Sequence, residues 1–366
     1  MRLANTFRGF IPVMALAVSA GAYSAPASAA ESQARAGGKK APVTVPCGDA
    51  AALVTAVGNA NSAPGGGVVT LETGCVYTLT SVAATGANGP DGLPVITGNV
   101  TITGTRATIR RDGSAPDFRI AEVAPGGSLT VSGVTLSGGR ATSGAGTDGG
   151  GILDLGTLTM GASSLSDNTA SNIGGGLEVA PGGTATLSAT GVTQNTAGDG
   201  GGIHVNLSAR LTYSSGSVSG NAATNTGGGV ASFGTTLVSA ATIRGNTTSN
   251  FEGGGVFAGS GDFTVTASRI TGNTAGSYGG GIANFGSTLQ VRSTEVSGNT
   301  ATLNGGGLFS FAGTTGLTAD RVTGNTANGG QGGGIFRQGG TVSLTATTVS
   351  GNNPDNCVPA LAGCTG

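Results

Sequence analysis

Short runs of alternating apolar and polar residues are separated by glycine clusters along most of this chain, and both recur at a fixed period. Eight Gly-Gly-Gly triplets follow one another at intervals of 25 to 27 residues, and an aliphatic residue follows each of them. The triplets begin at residues 149, 174, 200, 227, 253, 279, 305 and 332. Self-similarity at such a period indicates a repeat architecture, in which each repeat is one unit stacked on its neighbours.

An asparagine marks a second fixed position in every repeat. In each copy it stands three residues after a further aliphatic residue, as Asn299 stands after Val296. The eight asparagines are Asn168, Asn195, Asn221, Asn246, Asn273, Asn299, Asn325 and Asn352. Asparagine tolerates the left-handed backbone conformation, and its amide can bond to the amide of a stacked copy. We therefore predict that these residues are structural turn residues that form a ladder.

Each repeat predicts three short β-strands. In one copy these are residues 281–285, which follow the triplet, residues 289–291, which alternate between apolar and polar, and residues 295–299, which end at the asparagine. The glycine content and the β-branched residues exclude helical repeats, and the Leu-x-x-Leu-x-Leu pattern of leucine-rich repeats is absent. The sequence predicts an all-β fold, a single-stranded parallel β-helix of about ten coils. Parallel crossovers are right-handed, so the solenoid is predicted to be right-handed.

The stacking of coils explains the choice of residues. Successive coils lie about 4.8 Å apart, so each aligned position becomes a ladder of similar residues. The aliphatic ladders are expected to face inward and form the core. The glycine ladders are expected at corners where the backbone needs a positive φ and where a side chain on every coil would clash.

Both ends of the solenoid have segments that are predicted to cover them. Residues 65–352 are assigned to the β-helix itself. Asp49 is a predicted N-cap for a helix over residues 50–61, so that residues 43–64 shield one open end. The tail 353–366, which has two prolines and two cysteines, is predicted to close the other end.

The N-terminus predicts export. Residues 1–30 combine two arginines, an apolar stretch and small residues in the order of a secretory signal peptide, and residues 31–42 are predicted to be a flexible linker. No other apolar run reaches membrane length, so we expect no membrane span in the mature chain. The protein is expected to be secreted and extracellular, either free or associated with the cell surface. Removing Arg2 and Arg8 from the 16 basic residues leaves 14 against 17 acidic ones, a net charge of −3. This balance argues against nucleic acid as a partner.

The four cysteines form two close pairs, one near each end of the mature chain. The pairs are Cys47 with Cys75 and Cys357 with Cys364. Four cysteines allow three disulfide connectivities. Local pairing is favoured because the ends of a long solenoid are too far apart to be bridged.

Two groups of known proteins share these motifs. The predicted helix, the segment 65–71 and the residues 74–77 resemble the N-terminal entry of the pectin-lyase-like superfamily. The Gly-Gly-Gly-Ile and Gly-Asn pairs resemble the repeats of the chlamydial polymorphic outer membrane proteins, which carry Gly-Gly-Ala-Ile and Phe-x-x-Asn. Here glycine takes the third position of the triplet, and Val, Ile or Leu replaces Phe. The resemblance covers about residues 65–352 and implies a bacterial, extracellular β-helix with no fixed activity.

Polysaccharide lyases and hydrolases of the pectin-lyase-like superfamily rely on clustered carboxylates, and this sequence has no Asp-Asp pair and no Gly-His-Gly. The weak catalytic candidates are Glu178 and His204, which lie two places after successive triplets and should stack on neighbouring coils. Asp154 is expected near them, one coil earlier. The alternative interpretation is a polar pair on a variable surface column.

The same column holds Phe257, Phe309 and Phe336. Its alternation with core positions predicts exposed rings that could stack on a sugar or contact a protein, unless the loops between each asparagine and the next triplet cover them. We expect a non-catalytic, adhesin-like binding protein whose partner is a glycan or a surface protein, with no cofactor and no metal. The alternative is a carbohydrate-active enzyme, a polysaccharide lyase or hydrolase.

Overall fold

The computed structural model describes residues 42–144 and 146–364, which form a parallel β-solenoid of about 11 turns. The all-β fold with a short helix is therefore confirmed, with one more turn than the repeat count predicted. The predicted signal peptide, nearly all of the predicted linker and the last two residues of the tail lie outside the described residues.

Three parallel sheets form the walls of the described solenoid. The longest contains the strands Val43–Val45, Gly67–Leu71, Val76–Leu79, Asn99–Arg111, Ser128–Ser137, Thr157–Gly161, Ser164–Ser166, Thr184–Ser188, Gly191–Thr193, Arg210–Ser214, Ser217–Ser219, Thr235–Ser239, Thr242–Arg244, Asp262–Thr266, Arg269–Thr271, Thr288–Arg292, Glu295–Ser297, Thr314–Thr318, Arg321–Thr323, Thr341–Thr345 and Thr348–Ser350. The second, which we call the ten-stranded sheet, contains Ala121–Val123, Ile152–Asp154, Leu177–Val179, Ile203–Val205, Val230–Ser232, Val256–Ala258, Ile282–Asn284, Leu308–Ser310, Ile335–Arg337 and Cys357–Val358. The third contains Arg140–Ala141, Thr169–Ala170, Thr196–Ala197, Ala222–Ala223, Thr247–Thr248, Thr274–Ala275, Thr300–Ala301 and Thr326–Ala327.

The third sheet was not predicted from the repeat. The second and third predicted strands of each coil both belong to the longest sheet, on either side of a sharp bend. The short strands of the third sheet follow the asparagine and have only two residues each, so their alternation is too brief to be recognised.

Aliphatic ladders fill the interior. Ile282, Leu289, Val291 and Val296 of one coil are all fully buried. Ile282, Val291 and Val296 stack on Leu308, Leu317 and Val322 of the next coil, whereas Leu289 lies between Phe263 and Thr315. Burying a side chain of this size contributes about 1.5–3 kcal/mol relative to leaving it exposed. The core is therefore one continuous apolar column, with every coil resting on the next.

The asparagine ladder lies inside the solenoid and holds the coils together. The side-chain oxygen of Asn273 accepts hydrogen bonds from the backbone N–H and the side-chain amide of Asn246, at 3.0 and 2.9 Å. The predicted amide ladder is therefore present, but the asparagines themselves do not adopt the predicted left-handed conformation. The residue before each asparagine has the positive φ, for example Gly298 at 62°. The asparagine itself is thus free to point its side chain inward.

Glycine triplets form a tight corner. The first glycine of each triplet has a positive φ, as Gly279 does at 66°, in agreement with the prediction. The other two glycines have no room for a side chain, because the backbone of the adjacent coil lies against them.

The two ends differ in detail from the predicted caps. The helix spans Ala50–Asn61, and the Asp49 carboxylate accepts a hydrogen bond from the Ala52 N–H at 2.8 Å. A strand, Val43–Val45, precedes the helix and pairs with Gly67–Leu71. Disulfides link Cys47 to Cys75 and Cys357 to Cys364, so the local pairing is confirmed. In the described part of the chain, no helix is long and apolar enough to cross a membrane.

Candidate functional site

One column of side chains points away from the core along the whole ten-stranded sheet. In strand Ile203–Val205, the first and last residues face the core and His204 faces outward. The strand register places Glu178 and His204 on neighbouring coils in this column. Members of the column, in order along the solenoid, are Glu122, Leu153, Glu178, His204, Ala231, Phe257, Ala283, Phe309, Phe336 and Val358.

Glu178 and His204 stack on neighbouring coils as predicted and form a hydrogen-bonded pair, but the pair is buried, which the sequence did not predict. The Nδ1 atom of His204 lies 2.7 Å from Oε2 of Glu178, and Asn206 donates a longer bond of 3.4 Å to Oε1. Burial raises the pKa of the Glu178 carboxyl above its ordinary value, and the bond and charge of His204 partly oppose this rise. A carboxyl and an imidazole in such contact can exchange a proton, so the pair has the elements of acid–base chemistry.

Asp154 does not join this pair, contrary to expectation. It is three residues after its triplet instead of two, and successive residues of a strand face opposite sides. The side chain therefore points into the solenoid, in register with Val179, and is fully buried. One carboxylate oxygen accepts the Gly156 N–H at 3.0 Å, and the other has no hydrogen-bond partner among the described residues.

Asp154 is expected to make the protein less stable as the pH rises. Desolvation raises the pKa of its carboxyl to about 7, whereas an unfolded chain has a value of about 3.9. The folded state therefore holds a proton that the unfolded state loses, and the free energy of unfolding falls between about pH 4 and pH 7. Asp154→Asn removes this penalty, and we expect it to stabilise the protein at pH 8 by on the order of 3 kcal/mol.

Urea denaturation of the wild type and the Asp154→Asn variant between pH 4 and pH 8 measures this effect. The exposed carboxyl of Asp262 offers a matched control in Asp262→Asn, which should follow the wild-type pH profile. An Asp154→Asn profile as steep as that of the wild type would contradict the assignment.

A buried arginine cluster adjoins the pair and was not anticipated from the sequence. Nη1 of Arg119 lies 3.1 Å from Asp91 and 3.3 Å from Glu122. Its Nε donates to the Asp148 carbonyl at 3.2 Å, and its Nη2 donates to the Asn88 carbonyl at 2.6 Å. Burial raises the pKa of Asp91 to about 7, although the guanidinium of Arg119 opposes this. Glu122 is a near neighbour of Arg119, but Asp91, Asn88 and Asp148 lie 28, 31 and 29 residues away from it, and no local pattern links them.

The pair and the cluster share a cleft of about 200 Å³. Glu178 and Asn206 line it from one side, and Arg119 and Asn88 line it from the other. Asp148 and several apolar residues, including Leu155 and Ile173, complete the walls. We call this space the Glu178 cleft.

The phenylalanines of the column were predicted to be exposed, and the structure shows that they are largely buried. Only 7% of Phe257 and 1% of Phe309 is accessible, and Phe336 is half-buried. A loop between an asparagine and the next triplet provides part of the cover, since the Tyr278 ring stacks on Phe309 at 4.6 Å. The alternative of loop cover is therefore correct for Phe309, whereas Phe257 is buried among Ala231, Ala283, Phe233 and Phe285.

A second column of rings lies beside the first and was missed in the sequence. Phe233, Phe285 and Phe311 each stand four residues after a triplet, a recurrence that the sequence does contain. The rings of the two columns contact one another in series at centroid distances of 5.1 to 5.9 Å. We call this series the aromatic strip: Phe233, Phe257, Phe285, Phe309, Phe311 and Phe336.

The aromatic strip leads directly to the buried pair. The His204 ring lies 5.5 Å from Phe233, at the end of the strip nearest the cleft. Phe311 is 46% exposed, and Phe233, Phe285 and Phe336 are half-buried, so the second column forms the accessible part of the strip. An apolar surface and a polar cleft thus adjoin on one side of the solenoid.

No protein-family model, curated protein or solved structure matches this chain.

Proposed function

We propose that this protein is a non-catalytic, adhesin-like extracellular binding protein that holds a glycan on the aromatic strip. The observation that carries the proposal is the uninterrupted series of rings from His204 to Phe336. Partly exposed aromatic side chains in one row are uncommon on a surface that has no ligand or partner. Their regular spacing suits an extended ligand that lies parallel to the solenoid axis.

A glycan is favoured over a surface protein because of the groups beside the strip. Sugars present both apolar C–H faces and hydroxyl groups, so they need rings and hydrogen-bonding groups together. Asn206 and Glu178 adjoin the strip where it meets the cleft, and they provide amide and carboxylate groups. A protein partner would be recognised mainly by the apolar strip, without needing the cleft.

Secretion is part of the same proposal. The order of residues in 1–30 is that of a signal peptide, and two disulfides are typical of an oxidising compartment. The recurrent Gly-Gly-Gly-Ile and Gly-Asn pairs favour kinship with the bacterial polymorphic outer membrane protein repeats within the pectin-lyase-like β-helices. This kinship is consistent with a role outside the cell.

A second candidate function rests on the buried pair. Glu178 and His204 at 2.7 Å could serve as an acid–base pair of a carbohydrate-active enzyme. Glu122, the next carboxylate in the column, is bound to Arg119 and to the Asn88 amide and is therefore poorly placed as a second catalytic group. A binding role explains the strip as well as the pair, so we favour it.

Truncating the accessible rings should weaken glycan binding. On a glycan array, we expect the double substitution Phe285→Ala with Phe311→Ala to weaken binding at least tenfold, because both rings lose their contact with the ligand. Leu237→Ala is the matched control, since Leu237 is a 40% exposed apolar residue on the longest sheet. It should bind like the wild type.

Three other results would contradict parts of this proposal. Equal binding by the double variant and the wild type would exclude the strip as the binding surface. Binding of a surface protein but of no glycan, lost in the double variant, would change the ligand class. Release of reducing or unsaturated ends from polysaccharides by the wild type, but not by His204→Ala, would establish the enzyme instead.

A further inference from the structure

The Glu178 cleft lies where the aromatic strip stops. Asn206 continues the column of Phe233 on the next coil, because both residues donate their backbone N–H to equivalent valines, Val179 and Val205. At the far side of the cleft, the antiparallel hairpin of Ala84–Gly86 and Gly89–Asp91 brings Asn88 over the sheet. A chain that lies along the strip therefore meets a wall at this hairpin.

The two charged side chains that line the cleft have unused hydrogen-bonding capacity. Arg119 carries five N–H donors, and its bonds to described residues use four of them, one on Nη2 remaining. Oε1 of Glu178 has only the 3.4 Å contact from Asn206. Both side chains are at least nine-tenths buried. Buried polar groups normally have hydrogen-bond partners. A polar ligand in the cleft would provide partners for the remaining N–H of Arg119 and for Oε1 of Glu178.

The charge around the cleft disfavours an anionic ligand. Glu178 and Asp148 line it, and Asp91 and Glu122 surround Arg119. These four carboxyl groups outnumber the two basic groups, Arg119 and His204. A further carboxylate would lose its hydration in this poorly solvated site, and the guanidinium of Arg119 that could compensate it is already paired with Asp91 and Glu122.

The volume matches a single sugar residue. A water molecule takes about 30 Å³ in the liquid, so about 200 Å³ corresponds to roughly seven waters. This is room for one ring with its hydroxyl groups but not for two.

We propose that the Glu178 cleft binds the terminal sugar of a glycan chain and selects a neutral or amine-bearing residue over one that carries a carboxylate. This inference rests on the proposed function, since the strip holds the rest of the chain. Glu178 and Asn206 bind the terminal residue from one side, and Arg119 and Asn88 bind it from the other. The protein thus recognises the end of a chain instead of its interior.

An array of glycans that share one internal sequence and differ in the terminal residue tests this directly. The terminal residues should include a neutral hexose, a hexosamine with a free amine, and a uronic acid. We expect the wild type to bind the first two at least tenfold more tightly than the third. In Glu178→Gln, which keeps the side-chain size and removes the charge, this preference should fall by about tenfold.

Two further variants separate a role in recognition from a role in folding. Glu252→Gln makes the same change at a half-buried carboxyl outside the cleft and should retain the full preference. Asn88→Ala alters the hairpin wall instead of the sheet, and it should weaken binding of neutral and amine termini at least fivefold. Thermal melting of each variant is recorded to establish that it is folded.

The outcomes distinguish this inference from the proposed function. Glycan binding that depends on Phe285 and Phe311 but shows no terminal preference would overturn the inference and leave the strip as the binding surface. A preference for uronic acid termini would overturn it too. If the wild type binds no glycan, both proposals are wrong. An unchanged preference in Glu178→Gln would exclude the carboxylate as its cause.

Discussion

Asn246→Ala is expected to lower the free energy of unfolding by about 3–5 kcal/mol. The Asn246 side chain makes four hydrogen bonds, all of them to buried groups. Its oxygen accepts from the backbone N–H and the amide of Asn221, and its nitrogen donates to the Val218 carbonyl and to Asn273. Alanine removes all four bonds inside the solenoid, where water cannot replace them, and it leaves the backbone N–H of Asn221 without its partner. Urea denaturation followed by circular dichroism measures the loss.

Two variants test whether hydrogen bonding is the cause. Asn246→Asp keeps the shape but cannot donate when ionised, so it should be destabilised more strongly at pH 8 than at pH 4. Thr186→Ala, at an exposed threonine without a side-chain partner among the described residues, should stay within about 0.5 kcal/mol of the wild type. If Asn246→Ala were as stable as Thr186→Ala, the ladder would not be holding the coils together.

Gly280→Ala is expected to be destabilising by about 3 kcal/mol or more, because the coils cannot separate to admit a methyl group. A Cβ at Gly280 would lie 2.5 Å from the carbonyl carbon of Thr300 and 2.6 Å from the carbonyl oxygen of Gly306. Both atoms belong to the backbone of the next coil, which stacking fixes in place. The backbone of Gly280 does not have a positive φ, so steric overlap alone is responsible. A lowered urea midpoint is the expected observation.

Gly298→Ala is the matched control at another corner of the same repeat, the one before the asparagine. Its φ of 62° costs an alanine about 1–2 kcal/mol, but a Cβ there would contact nothing within 4 Å. Asp167 and Gln194 occupy the same corner in other coils, which shows that side chains fit there. We expect Gly298→Ala to be clearly more stable than Gly280→Ala. The reverse order would mean that backbone conformation, not packing, makes the triplet necessary.

Part of the site was predictable, and part of the error was avoidable. The stacking of Glu178 on His204 follows from the spacing of their triplets. The inward direction of Asp154 was predictable as well, because it stands one residue further along its strand and successive residues face opposite sides of a sheet. The prediction that it lies beside the pair was therefore wrong for a reason already present in the sequence. The column of Phe233, Phe285 and Phe311 was also present in the sequence, at a constant distance from the triplets.

Other parts could not be predicted from the repeat. Alternation distinguishes core positions from outward ones, but it does not say whether an outward side chain meets solvent. Phe309 is covered by Tyr278, which belongs to the loop of another coil. Arg119 binds Asp91 and Asn88, which come from a hairpin about 30 residues earlier that has no counterpart in the repeat.

The sequence by itself determined the solenoid, the direction of the aliphatic ladders, the asparagine ladder and the local disulfides. It could do so because stacking carries each position of the repeat onto the same position of the next coil, so that a local pattern fixes the long-range contact. Only the tertiary structure decided the burial of the phenylalanines, the arginine cluster and the Glu178 cleft. These depend on loops and a hairpin that break the repeat, and contacts between segments without a common period leave no pattern along the chain.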